Sequence, residues 1–198
     1  GKHGGIGCGG EKAALFSLDY GTGAWDCGPM QSKDHLDTLV GLKEYVGEAD
    51  DVKKIFSDGS LEIKKAVRML GVPHARSTPY RSTTNTFTER NIRTWEDKTR
   101  ASLFHGGAPH TWWPICGPYV CAQHNATEIG GNKSACEQRH GGPFPGGDFL
   151  FAQLVHYLPP KPERKAQPTF SPKTRPGLFC GWRFEPGNKF KGLAVIHS

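Results

Sequence analysis

Three carboxylates occupy positions where acidic side chains could share a metal ion. Asp19 ends a short apolar run that begins at Ala13, and Asp58 ends a second short run that begins at Ile55. Glu89 lies at the start of the clearest helical pattern in the chain. Strands of one sheet that end near each other, with a helix alongside, can bring such acids to one point. The pattern therefore predicts a cluster of three carboxylates.

The chemistry of such a cluster follows from its charge. Carboxylates held close together repel one another, and their pKa values rise unless cations neutralise them. Hard oxygen ligands with open coordination positions select Mg²⁺ or Mn²⁺. Two such ions about 4 Å apart would hold the attacking and leaving oxygens of a phosphoryl transfer. The residues alone leave a second interpretation open, in which three of the 19 acidic residues are only solvated ends of strands and helices.

The predicted secondary structure could position these acids. The hydrophobic pattern and turn residues predict strands, helices and one loop in this order: a hairpin over 13–19 and 23–27, a helix over 32–46, a strand over 55–58, a helix over 61–70, a strand over 74–78, a loop over 79–87 and a helix over 88–104. The region 109–125 is rich in tryptophan, but Pro114 and Pro118 argue against a straight helix there. Residues 126–147 form a glycine-rich connection, and short apolar runs beyond it predict a small β unit.

Composition and charge narrow the class of protein. The chain of 198 residues has 36% hydrophobic and 22% charged residues, which is typical of a globular protein. Its longest apolar stretch, 149–158, is far shorter than a membrane span. A formal net charge of +6 favours a polyanionic partner. Six scattered cysteines are expected to be reduced thiols in the nucleus or cytoplasm. The first residue is Gly1 rather than Met, so we expect a fragment or a processed segment rather than a full gene product.

Several ordered motifs resemble one family. They are Phe56-Ser57-Asp58-Gly59-Ser60, Ser77-Thr78-Pro79-Tyr80-Arg81, Asn85-Thr86-Phe87-Thr88-Glu89-Arg90-Asn91-Ile92-Arg93, Ala108-Pro109-His110-Thr111-Trp112-Trp113, Glu137-Gln138-Arg139-His140-Gly141 and Pro176-Gly177-Leu178-Phe179-Cys180-Gly181-Trp182. Together they resemble the integrases of copia-type retrotransposons, with the SH3-like segment that follows the catalytic core. The resemblance covers nearly the whole chain from about residue 13.

The resemblance implies an α/β fold and a reaction. The expected fold is an RNase H-like mixed five-stranded sheet flanked by helices, with a small SH3-like β appendage. The implied activity is that of a polynucleotidyl transferase, which trims a DNA 3′ end and joins it to target DNA. Asp19, Asp58 and Glu89 would be catalytic and would bind Mg²⁺ or Mn²⁺, and the segment 79–87 would be a mobile loop beside the scissile phosphate.

The resemblance also implies a domain organisation and DNA contacts. A flexible tail over 1–12, a catalytic core over 13–125, a linker over 126–147 and a β appendage over 148–198 are expected. The residues expected to contact DNA are Arg81, Asn85, Arg93 and Arg100. Arg93 and Arg100 lie four and eleven residues after Glu89, on one helical face, although arginines that only solvate the helix fit this spacing equally well. An active integrase is expected to form homo-oligomers.

The chain departs from the family pattern in places. The Asn that usually follows the second acidic residue is missing, Thr86 replaces a loop glycine, and the 30 residues between Asp58 and Glu89 are fewer than is usual. One alternative is therefore a domesticated, inactive relative that serves as a structural subunit and binds protein partners. Another alternative is a nonspecific basic binding module. Retention of all three acids favours the enzyme, because an inactive site has no reason to keep carboxylates that repel each other.

A group of cysteines and histidines is the remaining candidate for a metal site. Its members are Cys116, Cys121, His124, Cys136 and His140. Zinc ligands usually follow regular short spacings. The gaps here are irregular, so the pattern favours ordinary core and surface roles over zinc.

Overall fold

The computed structural model describes residues 5–48, 52–57, 60–76, 82–128, 132–165 and 168–198. Its strands are β1 (Ala13–Leu18), β2 (Trp25–Met30), β3 (Ile55–Ser57), β4 (His74–Arg76), β5 (Leu154–Tyr157), β6 (Arg175–Glu185) and β7 (Lys189–His197). Its α-helices are α1 (His35–Val46), α2 (Leu61–Leu70), α3 (Ser82–His105), α4 (Trp113–Ala126), α5 (Ala135–His140) and α6 (Lys161–Lys165). The chain thus has the predicted α/β character.

The first hairpin forms where the sequence predicts it. Strands β1 and β2 are antiparallel, with Leu18 opposite Trp25. The turn closes because the backbone N–H of Asp19 donates to the carbonyl of Ala24, and the N–H of Gly23 donates to the carbonyl of Asp19. Gly23 has a φ of 74°, a conformation that glycine adopts without strain. The turn fixes Asp19 at the end of β1.

Helix α2 packs against the parallel pair β3 and β4, and helix α1 packs against α2 and the first hairpin. Asp34 caps α1 by accepting from the N–H of Leu36, and Gly71 ends α2 in the left-handed conformation. The two helices pack through a small cluster that contains Leu39, Leu42 and Val67. Leu15 of β1 and Ile55 of β3 pack against the same cluster. This cluster therefore supports both β1 and β3.

The main core lies around α4. Its buried members are Trp25, Cys27, Trp95, Leu103, Cys116, Tyr119, Val120, Cys121, Phe151, Phe179 and Cys180. They come from β2, α3, α4, β6 and the segment before β5. Gly117 permits a close approach here, since a Cβ at this position would lie 2.9 Å from the Trp95 ring. The indole N–H of Trp95 also donates to the carbonyl of Gly117, which fixes α3 against α4.

Helix α4 corrects one expectation, because it spans Trp113–Ala126 and continues past Pro118. Pro114 lies in the first turn, where its missing N–H costs little. Pro118 removes one helical hydrogen bond, the one that would reach the carbonyl of Pro114. Burial of Cys116, Tyr119 and Val120 in the main core offsets that loss. Helix packing therefore overrides the local signal of proline.

Helix α3 corrects a second expectation. A loop is predicted over 79–87, but α3 begins at Ser82 and includes 82–87. Residues 77–81 lie outside the described residues. Serine and threonine are modest helix formers, yet each residue added to an existing helix gains a hydrogen bond without a new nucleation cost. None of the helices in the described residues has the length and apolarity needed to cross a membrane.

The strands of the described residues form separate small sheets. The pairs β1–β2 and β3–β4 each form a two-stranded sheet, and β5–β6–β7 form a three-stranded antiparallel sheet. The single five-stranded sheet that the resemblance implies is not seen among these residues. The cores of the predicted catalytic unit and of the C-terminal sheet are continuous, since Phe179 of β6 packs against Tyr119 of α4. The predicted domain boundary at residue 148 stays a prediction.

The predicted tail and linker contain ordered contacts. Within 1–12, the N–H of Cys8 donates to the carbonyl of Thr111, and the carbonyl of Gly5 accepts from the indole of Trp113. Within 126–147, Ser134 caps α5 by accepting from the N–H of Glu137. Arg139 of α5 donates to the carbonyl of Tyr45 at 2.7 Å, which ties this segment to α1.

Candidate functional site

Three aromatic residues join the segments that carry the predicted acids. The hydroxyls of Tyr20 and Thr88 are 2.8 Å apart. The ring centroid of Tyr20 is 5.6 Å from that of Phe87 and 6.4 Å from that of Phe56. We call Tyr20, Phe56 and Phe87 the aromatic corner. It brings together the end of β1, strand β3 and the early turns of α3.

Asp19 lies beside the aromatic corner, directly before Tyr20. Its Oδ1 accepts from the N–H of Gly21 at 2.8 Å, and its Oδ2 accepts from the hydroxyl of Thr22 at 2.7 Å. These bonds orient the carboxylate and take one lone pair of each oxygen. A carboxylate offers about four lone-pair positions, so both oxygens keep room for a cation.

Asp58 lies outside the described residues. The structure does describe the strand that leads to it, because β3 ends at Ser57. The hydroxyl of Ser57 lies 2.8 Å from Nε2 of His74 on the neighbouring strand β4. Phe56, two positions before Asp58, belongs to the aromatic corner. The chain therefore leaves the aromatic corner two positions before Asp58.

Glu89 is exposed and follows Thr88, the hydrogen-bond partner of Tyr20. The prediction that the helix begins near Glu89 is wrong, because α3 begins at Ser82. Glu89 thus lies about two turns inside the helix. A helix holds a side chain more firmly in its interior than at a frayed end. The hydroxyl pair of Tyr20 and Thr88 thus brings the segments of Asp19 and Glu89 together.

The three predicted metal ligands are all carboxylates, which are ligands of divalent cations. Among the described residues, which leave out position 58, no group of three His, Cys, Asp or Glu side chains lies close enough to hold a metal ion. The predicted triad includes Asp58, which lies outside these residues, so this absence does not bear on the triad. Carboxylate oxygens at 19, 58 and 89 are the ligands that Mg²⁺ and Mn²⁺ prefer.

The residues expected to contact DNA are partly described. Arg81 lies outside the described residues, and for Asn85 only the helical backbone of α3 is described. Arg93 and Arg100 are both exposed on α3. The guanidinium of Arg100 forms an ion pair with the carboxylate of Asp97, one helical turn earlier. Arg93 is therefore the better placed of the two to meet a phosphate.

The cysteines and histidines of the weak zinc pattern have other contacts. Cys116 and Cys121 are buried in the main core. His124 stacks on Trp25 with ring centroids 3.6 Å apart, and its Nε2 lies 3.2 Å from the carbonyl oxygen of Gly23. Burial lowers the pKa of His124 and of His140. Packing thus accounts for most of this group.

Burial perturbs several titratable groups at the main core. It raises the pKa of Cys116 to about 12 and those of Cys27 and Cys121 well above the ordinary thiol value. It also raises the pKa of Asp26, on β2, from 3.8 to about 6. The nearby carboxylate of Glu44 adds to this rise, while Arg139 opposes it. These thiols are poor nucleophiles, since the reactive form is the thiolate.

Sequence reasoning missed the aromatic corner. Tyr20, Phe56 and Phe87 each stand within two positions of a predicted acid, and this common spacing was the available signal. Single aromatic residues in a sequence usually belong to a core. Here all three rings are about half exposed, at 55%, 52% and 49% of their surface.

Comparisons with known proteins bear on the fold. No protein-family model matches the chain. No curated protein matches its sequence. The catalytic core domain of BIV integrase matches with a TM-score of 0.48 and 16% identity, over 63% of this chain and 83% of that chain. A chain in the cryo-EM structure of the simian T-cell lymphotropic virus intasome, in complex with PP2A regulatory subunit B56 gamma, matches with a TM-score of 0.52 and 12% identity.

The second match covers 83% of this chain and 66% of that chain. At such low identity the likeness concerns the fold alone. The chain therefore has an α/β fold similar to that of this second chain, and it matches slightly under two thirds of that chain's length.

Proposed function

We propose that this protein is an integrase-type polynucleotidyl transferase. It would trim a DNA 3′ end and join the new end to target DNA, with Asp19, Asp58 and Glu89 as its catalytic carboxylates. The copia-type relation and the RNase H-like arrangement of the acids belong to this proposal. The likeness in fold to a chain of a viral intasome supports it.

The single observation that carries the proposal is the position of Tyr20. Its side chain links the residue after Asp19 to Thr88, the residue before Glu89, through the 2.8 Å contact between hydroxyls. Its ring also contacts Phe56, two positions before Asp58. Segments separated by 68 positions along the chain meet at one side chain. Acids with only solvating roles would have no reason to flank such a junction.

The expected cofactor is Mg²⁺ or Mn²⁺, held by Asp19, Asp58 and Glu89. When bound, two such ions would stabilise the charge that develops on the attacking and leaving oxygens. The chain's own residues would help to position the carboxylates: Gly21 and Thr22 hold that of Asp19, and the helix interior fixes the backbone at Glu89. The net charge of +6 would favour approach of DNA.

The test replaces Glu89 by Gln. This change removes the charge and keeps the shape, so Mg²⁺-dependent cleavage and strand joining of a DNA duplex should fall by at least about 100-fold. DNA binding should be kept, since the lost carboxylate repels phosphate. Glu96→Gln, an exposed acid on the same helix, is the matched control and should retain full activity.

The result also separates the alternative function. Undiminished joining by the Glu89→Gln variant would mean that the metal site lies elsewhere. No joining by the unaltered chain, with or without Mn²⁺, would favour a domesticated relative that keeps the fold as a structural subunit. In that case the basic charge would serve protein partners or nonspecific binding.

A further inference from the structure

We infer that the aromatic corner is a stacking platform for an unpaired base of a bound DNA strand. The inference rests on the proposed function, because it assigns the platform a DNA strand that ends near the catalytic carboxylates. The platform consists of Tyr20, Phe56 and Phe87, with Tyr20 between the other two rings.

The exposure of the rings is the first argument. The ring of Tyr20 lies against those of Phe56 and Phe87, and about half of the surface of each of these three residues is still open to solvent. Burial of that surface would be favourable, so exposed apolar groups that touch each other mark binding surfaces more often than single exposed residues do. The corner therefore offers ring faces and edges to a ligand.

The charge beside the rings identifies the kind of ligand. Nζ of Lys54 lies 5.1 Å from the centroid of the Phe56 ring. A nucleotide combines a flat aromatic base with a phosphate, and it matches a ring that has a cation alongside it. An apolar peptide has no anionic group to pair with the Lys54 ammonium. A paired base is already stacked within its duplex. An unpaired base therefore fits these groups best.

The location of the corner supplies the third argument. Its members stand within two positions of Asp19, Asp58 and Glu89. A base held on these rings would keep its strand close to the segments that carry Asp19 and Glu89. Positioning of the reacting group is a large part of catalysis by phosphoryl transfer. The corner would thus hold a strand whose end has been separated from its complement.

The experiment measures binding by fluorescence anisotropy without divalent ions, so that DNA is bound and not cut. Two duplexes are compared, one blunt and one with a short unpaired overhang of mixed bases. Stacking of a base on an aromatic residue is worth about 1–3 kcal/mol, so the unaltered chain should prefer the overhang by roughly tenfold. Equal affinity for both duplexes would overturn the inference.

Variants then locate the effect. Phe56→Leu and Phe87→Leu keep an apolar side chain and remove the ring, so each should reduce the preference for the overhang to about threefold or less. Binding of the blunt duplex should not change. Phe104→Leu is the matched control, since Phe104 is exposed on α3 about 25 Å along the helix from Phe87. Equal losses on both duplexes, or the same loss with Phe104→Leu, would contradict the platform.

A second readout needs no variant. The fluorescent base 2-aminopurine, placed in the overhang, should be quenched when it stacks on a ring, and an unquenched signal at saturating protein would overturn the inference. Failure of the proposed function looks different. Overhang preference with quenching, but no Mg²⁺-dependent joining, would leave the platform in place and remove the enzyme. Joining of DNA without a preference for the overhang would support the enzyme and rule out the platform.

Discussion

The aromatic residues of this chain form two groups that contrast in burial. In the main core, Trp25, Trp95 and Phe179 are almost completely inaccessible and join β2, α3 and β6 around α4. In the aromatic corner, Tyr20 also contacts Phe56 and Phe87, yet all three residues are about half exposed. The same residue types therefore serve stability in one region, and in the other they leave a surface that a ligand can cover.

The largest expected difference between the two regions is in stability. Phe179 is 1% exposed and contacts Tyr119, Phe149 and Trp182, so Phe179→Ala should lower the free energy of unfolding by about 3–5 kcal/mol. Phe56→Ala, in the corner, should lower the free energy of unfolding by about 1 kcal/mol or less, because half of the Phe56 surface is already exposed to solvent. Urea unfolding measures both values. Equal losses would remove the distinction between core and corner.

The free energy of unfolding should depend on pH through Asp26, at the border of the main core. Because burial raises the pKa of Asp26 from 3.8 to about 6, the folded state holds a proton there that the unfolded state releases. Stability should therefore decrease as pH rises through this window, by on the order of 2–3 kcal/mol in total. Asp26→Asn should remove that decrease, so that the variant is more stable than the unaltered chain above about pH 6.

Urea midpoints below and above the window test this expectation. Asp148→Asn, at an exposed carboxyl, is the control and should keep the pH dependence of the unaltered chain. An Asp26→Asn variant that is less stable than the unaltered chain above the window would mean that the carboxylate has a favourable partner.

Helix α3 connects the two regions and presents the arginines expected to contact DNA. If Arg93 meets a phosphate, Arg93→Ala should reduce the slope of log affinity against log salt by about 0.9. Arg100→Ala should reduce it less, since the Arg100 guanidinium already pairs with Asp97. The loss should be the same for all DNA sequences, because phosphate contacts carry no base information. A salt series by anisotropy checks this, and an unchanged slope would mean that Arg93 only solvates the helix.

The smallest expected effect concerns the hydrogen bond that closes the corner. Tyr20→Phe and Thr88→Val each remove one hydroxyl from the 2.8 Å pair. A double-mutant cycle should give a coupling energy of about 0.5–1 kcal/mol, because the pair is exposed to water. Chemical unfolding of the four proteins provides the values. A coupling near zero would leave the rings, and not the hydroxyls, as the link between β1 and α3.

Local signals in the sequence predicted the elements that carry the acids. The Gly-rich turn after Asp19 predicted the first hairpin, and Gly71 predicted the end of α2; the structure confirms both. These features depend on residues that are close in sequence. Features that depend on contacts between residues far apart in sequence were predicted less well.

Two errors have the same physical origin. Pro118 and the polar run 82–87 both argue locally against helix, yet α4 and α3 pass through them. In each case packing elsewhere along the helix outweighs the local preference against helix. The contact of Tyr20 with Thr88 spans 68 positions, and no local pattern could reveal it. The convergence of Asp58 with the other two acids stays a prediction.

The distribution of thiols between core and surface makes this chain convenient for chemical labelling. Cys27, Cys116, Cys121 and Cys180 are buried, and Cys136 is half buried with a pKa that burial raises. Cys8 is exposed, on a segment fixed to Thr111 by a backbone hydrogen bond. A maleimide dye should therefore react first at Cys8 in the folded protein. The natural sequence thus supplies one attachment point for a fluorophore, without an engineered cysteine and without disturbing the core.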